Sequence, residues 1–265
     1  MRSLFMACVA TCAILIGCAD ADVITPGAQL SDESFSSKVA KILPSSNDWE
    51  STHGIIDMFH WRLDGATGRS DIYQTGGSVF GTNIPETRTR VNGGTMSVSG
   101  VSISANSSND YIYESVTGGT WDVSNATYSI AGAGSIPSFS ATLPVLKKIV
   151  LNNYIAGITL SKSSPPTLTW NSDANNSAGV LIYIFYRVIT SNNEDSALPD
   201  TQISFSKVVT DNGSYTLTSG ELSVFPTGAI VDLGIARATW TVAGSTRKYG
   251  LIATTMAFGE CKLGM

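Results

Sequence analysis

The chain has 265 residues, of which 43% are hydrophobic and only 14% charged. That is too apolar for a disordered chain and long enough for one large domain or two modest ones. Sixteen Lys and Arg against 21 Asp and Glu give a net charge of −5, which argues against a nucleic-acid surface.

The first 17 residues read as an export signal. Arg2 supplies the positive start, and Leu4 to Ile16 is an apolar stretch too short for a comfortable membrane span. The stretch ends Leu15-Ile16-Gly17-Cys18, which resembles the lipobox of bacterial lipoproteins. The resemblance implies cleavage after Gly17 and a lipid on Cys18. An ordinary secretory signal, with Cys18 incidental, is the alternative. Cys8 and Cys12 fall in the removed leader, so Cys261 is left without a disulfide partner. It follows a predicted strand, has no nearby His, and reads as a small apolar side chain. Loss of Arg2 leaves 15 basic and 21 acidic residues, a net −6. Such a charge opposes anionic headgroups, so acyl chains are expected to hold the protein at the membrane. Ala19 after the cysteine favours the outer membrane by analogy with lipoprotein sorting.

Residues 18–48 read as the lipidated cysteine and a tether. Within it, Phe35, Val39, Ile42 and Leu43 fall at i, i+4, i+7 and i+8 after a Ser31 N-cap. This predicts a short amphipathic helix over 31–43 docked on the first domain, with disorder as the alternative. From Trp49 the pattern changes to short alternating runs separated by Gly, Asn and Asp clusters. Phe59, Trp61 and Leu63 alternate with His60, Arg62 and Asp64, and the phase of the Met96–Ile103 run flips at Gly100, which predicts a bulge or bend. Pro144 marks a domain cut. The expected fold is all-β, with one sandwich domain over 49–144 and an immunoglobulin-like sandwich over 145–265, able to fold alone. In the second half Ser219 to Phe225 reads as one helical turn, stopped by Pro226.

Gly213-Ser214-Tyr215, then Phe225-Pro226-Thr227-Gly228, Leu233 to Arg237 and Lys248-Tyr249-Gly250 resemble the C-terminal module of uncharacterised β-sandwich lipoproteins of Bacteroidota-type bacteria. The resemblance covers about half the chain, and Trp121 to Phe139 extends it. It implies a two-sandwich layout and the cell envelope. It lends no activity and no site residues.

Chemistry-bearing patterns are sparse. The two histidines are His53 and His60, and Gly100-Val101-Ser102-Ile103-Ser104 lacks the second glycine of a nucleophile elbow. Alternation turns His60 away from Phe59 and Trp61, where it reads as a solvated strand histidine. Asp173, Asn175 and Ser177 stand at alternate positions, a hard-oxygen spacing, but no bidentate Glu follows and a polar hairpin loop is the simpler reading. Asp57, Asp64 and Asp71 flank the first hairpin, and Glu194-Asp195 share a loop; these acids define the enzymatic alternative, an accessory carbohydrate-active hydrolase with a carboxylate pair. No metal, cofactor or nucleic-acid partner is expected, and no catalytic residue is assigned.

The unusual segment is Val180 to Ile189. Val180, Ile182, Ile184, Tyr186 and Val188 form one face; Leu181, Tyr183, Phe185, Arg187 and Ile189 form the other. Both are apolar, although antiparallel strands commonly bury one face. The second face therefore needs a cover. Packing inside the protein is the favoured reading; the alternative is an open surface where Tyr183, Phe185 and Arg187 bind an envelope glycan or protein. The reading that follows is a lipid-anchored envelope protein that binds or scaffolds, and not an enzyme.

Overall fold

The computed structural model describes residues 51–65, 68–84, 87–115, 121, 123–153, 157–186 and 203–265. Residues 1–17, Cys18, the 31–43 segment, Arg187 and Glu194-Asp195 lie outside them. The fold is all-β with tandem β-sandwich domains, as the alternation predicts.

The strands are β1 (Gly54–Gly65), β2 (Gly68–Val79), β3 (Met96–Val98), β4 (Val101–Ile103), β5 (Asp110–Ser115), β6 (Asn125–Ile130), β7 (Phe139–Pro144), β8 (Thr159–Ser161), β9 (Thr167–Thr169), β10 (Val180–Tyr186), β11 (Ile203–Val209), β12 (Ser214–Thr216), β13 (Ile230–Ala243) and β14 (Tyr249–Gly264). One helical turn, α1 (Ser219–Ser223), sits before Pro226 where the sequence places it. Thr218 caps it and Glu221 reaches back to the Thr218 amide, a reciprocal pair that satisfies two otherwise orphaned donors.

One large sheet, ordered β11-β10-β13-β14-β1-β2-β5, runs through both halves of the chain. β13 and β14 form a long antiparallel hairpin. The other edge of β14 pairs in parallel with β1 over residues 250–258 and with β8 over 262–264. A four-stranded sheet, β4-β3-β6-β7, packs on the β1, β2 and β5 end; the β9–β12 pair and α1 pack on the β10–β13 end.

The expected cut at 144/145 divides the smaller layers but not the large sheet. Tyr249, Leu251 and Ala253 belong to the first sandwich core, while Ala257, Cys261 and Leu263 on the same face of β14 belong to the second. A 145–265 fragment would keep its own core but lose the β1 partner of β14, leaving an unpaired, apolar strand edge.

The phase flip near Gly100 is a tight hairpin and not a bulge. Ser99 and Gly100 both have positive φ, 48° and 87°, and join β3 to β4 with Val98 opposite Val101. At the other end of the same core, Tyr111 is 1% exposed, and its hydroxyl accepts the Gly93 amide and donates to the Gly94 carbonyl. It thereby fixes a bend at Gly94, where φ is +87° and a Cβ would meet the Gly132 carbonyl at 2.7 Å.

Candidate functional site

The buried basic and acidic residues Arg237, Asp211, Asp173 and His60 gather at one place, the seam between the two sandwich cores. Register puts Arg237 of β13, Thr255 of β14, His60 of β1 and Tyr73 of β2 side by side across the large sheet. Apolar residues of the two cores lie on either side of this row. The segment joining the two halves crosses over it, and a buried crossing segment must find partners for its own amides and carbonyls.

The row supplies them. The Ile149 amide donates to Thr255 Oγ1 at 3.0 Å, and Arg237 donates to the carbonyls of Lys147 (3.2 Å) and Asn171 (2.6 Å). The Val150 amide donates to the Asn171 side chain, which in turn donates to the Lys148 carbonyl.

Arg237 is completely buried. Its Nη2 lies 3.2 Å from Asp211 Oδ1 and its Nη1 4.0 Å from Asp173 Oδ2, both carboxylates also being buried. Trp170 Nε1 and Asn176 Nδ2 donate to the two oxygens of Asp211. Burial pulls the Arg237 pKa down, and the two carboxylates oppose that pull. Burial alone would raise the Asp173 pKa, yet the amides of Lys147 and Asn175, with Arg237, hold it below the usual carboxylate value. In the Asp173-Asn175-Ser177 loop both Asp173 oxygens accept backbone amides and Oδ2 faces Arg237, so the carboxylate holds the turn to the seam. Among the described residues no cluster of His, Cys, Asp and Glu could hold a metal.

His60 corrects the sequence reading. It does point away from Phe59 and Trp61, but it is 1% exposed, not solvated. Its Nδ1 lies 2.9 Å from Thr255 Oγ1 and its Nε2 3.0 Å from Asp71 Oδ1. The Asp71 carboxylate can only accept, so Nε2 carries the hydrogen; Nδ1 of the neutral ring then accepts from the Thr255 hydroxyl, whose oxygen accepts the Ile149 amide. All three groups are satisfied by a neutral imidazole. Burial lowers the His60 pKa, and the bond to Asp71 offsets this only in part. The Thr–His–Asp order has the outline of a nucleophilic triad, but Thr255 is fully buried and its hydroxyl is spent on structure.

The carboxylate pair of a hydrolase does not assemble from the described side chains. Asp71 pairs with Arg62 and His60 on the seam face. Asp57 projects from the opposite face of the same sheet, where burial raises its pKa to about 7. A shallow groove of about 430 Å³ beside the edge of β13, lined by Pro144, Ala178, Ala238 and Trp240 among others, carries no ionisable side chain. Cys261 is buried and its thiol is pushed up to about 12 by burial and by Asp232 and Glu260, so it is no nucleophile.

Of the residues singled out on β10, Tyr183 and Phe185 come together, ring centroids 5.3 Å apart, on the face away from the sandwich cores. Tyr183 is 7% exposed. Its ring lies over Gly234 of β13, whose absent side chain makes the room: a Cβ there would sit 2.3 Å from the ring. The two join a third apolar cluster with Trp61, Ile72, Leu181, Ala236, Ala238 and Met256, so this face draws on both halves of the chain. Arg187 and Cys18 lie outside the described residues. The sequence singles out His60, Asp71 and Asp173 one by one but does not bring them together with Arg237, Asp211 and Thr255; the available signal was a charged residue, Arg237, at a core-facing parity of an apolar strand.

No family model matches the chain, and no curated protein matches it. A solved structure entitled "Crystal structure of DIP-gamma IG1+IG2" aligns over 80% of this chain and 95% of that one, with 8% identity and a TM-score of 0.19. That likeness is too small to carry an argument.

Proposed function

We propose that the protein is a lipid-anchored component of the bacterial cell envelope, held at the outer membrane through Cys18, that acts as a binding or scaffolding module and not as an enzyme. The observation that carries the anchor is the run Leu15-Ile16-Gly17-Cys18 at the end of an apolar leader of export length. The non-enzymatic part is supported by how the buried ionisable groups are used. Arg237, Asp211 and Asp173 are engaged with one another and with the crossing segment, and His60 with Thr255 and Asp71, so none is aimed into a cleft. Envelope proteins or glycans are the partners such a module would meet.

Replacing the anchor tests the reading. Cys18→Ala should abolish lipid labelling and move the protein from the detergent phase to the aqueous phase. Unchanged partitioning of that variant would overturn the anchor.

A further inference from the structure

The chain contains two Asn-Gly pairs, Asn92-Gly93 and Asn212-Gly213. Glycine has no Cβ to shield its own amide nitrogen, so that nitrogen can approach the side-chain carbon of the preceding asparagine. How the fold uses the two groups decides whether it does.

The two pairs sit in comparable turns. Both asparagines are exposed, and each side-chain oxygen accepts the amide two residues on. Gly94 donates to Asn92 Oδ1 at 2.8 Å, and Ser214 donates to Asn212 Oδ1 at 3.2 Å. Such a bond polarises the side-chain carbon in both. The glycines differ. Gly93 is buried, and its N–H donates at 2.8 Å to the hydroxyl of the buried Tyr111. Gly213 is half-buried; its carbonyl accepts the Trp170 amide, but its N–H has no hydrogen-bond partner among the described residues. The nitrogen is thus held by the fold in the first pair and at liberty in the second. Gly213 has φ +92°, a conformation that side chains resist, so the turn itself requires the glycine.

We propose that Asn212-Gly213 is a site of spontaneous backbone modification, at which Asn212 is converted to isoaspartate, and that this conversion loosens the Asp211–Arg237 cluster. The Gly213 nitrogen gives its proton to solvent and bonds to Cγ of Asn212. The Cγ–Nδ2 bond breaks, and Nδ2 leaves as ammonia with a proton from solvent. Water then opens the cyclic imide at one of its two carbonyl carbons. Opening at the side-chain carbon gives aspartate. Opening at the main-chain carbon gives isoaspartate, whose backbone runs through the side chain and is one methylene longer. No electrons are transferred, and either product adds one negative charge.

The position gives that change a consequence. Asp211 next to it is buried and accepts Trp170 Nε1 at 2.8 Å, Asn176 Nδ2 at 3.0 Å and Arg237 Nη2 at 3.2 Å. On the other side the Gly213 carbonyl accepts the Trp170 amide at 2.9 Å, just before β12 pairs with β9. Trp170 is therefore held from both sides of the Asn212–Gly213 bond. A methylene inserted there displaces one hold or the other. The added carboxylate also lies one residue from a carboxylate that is already buried. None of this depends on the anchor or on the binding role.

Mass spectrometry of the full chain tests the site. The protein is kept in warm, mildly alkaline buffer, folded and in parallel in guanidinium, then digested with trypsin under mildly acidic conditions. Residues 208–237 form one tryptic peptide with one Asn and no Gln, so any deamidation in it is at Asn212. Asn92 is read from fragment ions of its own peptide. In guanidinium the two should react at similar rates. In the folded chain Asn212 should react about tenfold or more faster than Asn92, whose glycine amide must first be released from Tyr111. Equal rates in the folded chain, or an Asn212 that reacts only in guanidinium, would overturn the site. Denaturant unfolding then tests the consequence. The aged, more acidic fraction should unfold at a lower midpoint than fresh protein, while Asn212→Ser aged in the same way should keep its own midpoint. An unchanged midpoint in a fraction modified at Asn212 would overturn the loosening. So would an equal drop in aged Asn212→Ser, which would assign the loss to another residue.

Discussion

The two faces of the strands β1, β13 and β14 differ more than the two halves of the chain do. On one face Arg237, Thr255 and His60 form a polar row between two apolar cores; one residue along, on the other face, Ala236, Met256 and Trp61 form an apolar row. The same backbone register produces both. The difference reflects what crosses each face. A connecting segment with bare amides and carbonyls lies over the seam and needs polar partners. Whatever covers the other face must itself be apolar. A sheet shared by two sandwiches is thus marked by what its neighbours require.

The largest expected effect comes from removing the charge at the seam. Arg237→Ala leaves Asp211 and Asp173 buried without their cation and two carbonyls without donors. A loss of about 3–5 kcal/mol is expected in denaturant unfolding, because an uncompensated buried charge costs more than the pair contributed. A loss below about 1 kcal/mol would mean that water reaches the carboxylates readily and that the seam is wetter than its burial indicates.

On the apolar face the matching change adds one carbon. Gly234→Ala places a Cβ against the Tyr183 ring, which must then leave its seat, at a cost of about 1–3 kcal/mol by overpacking. In the Tyr183→Ala background the same change should cost less, since only the 2.7 Å approach to Phe258 Cβ remains. Equal costs in both backgrounds would mean that the ring does not depend on Gly234 for its position.

Much of this was legible in sequence, and its limits follow from period. Alternation along Val180–Tyr186 correctly demanded a cover on both faces, and Leu181 and Tyr183 are buried as that reading favoured. Alternation also put His60 on the face opposite Trp61. It could not tell which face is wet, because in a central strand of a shared sheet neither is. Pro144 gave a domain cut because local breakers are visible, whereas the β1–β14 pairing joins residues almost 200 positions apart and leaves no local mark. The Arg237–Asp211–Asp173 cluster is hidden for the same reason.

The smallest effects distinguish the two faces by pH, with opposite signs. On the seam, burial lowers the His60 pKa below 6.5, so the unfolded chain takes up a proton before the folded one does. Stability is fully present above pH 6.5 and falls as the pH drops through that value toward the folded pKa. His60→Gln should flatten that part of the profile. On the other face, burial raises the Asp57 pKa from 3.8 to about 7, so the folded chain holds a proton that the unfolded one has lost. Stability from Asp57 is present below pH 3.8 and falls as the pH rises from there through about 7. Asp57→Asn removes a charge that the covered face does not want. It should stabilise the protein above pH 7 by about 1 kcal/mol, reduced by the partial exposure of the side chain, and change little at pH 4. Unfolding curves of the variant at pH 4 and pH 8 check this. An Asp57→Asn variant less stable than wild type at pH 8 would mean that the carboxylate has a partner in the layer covering it, and that this face is not uniformly apolar.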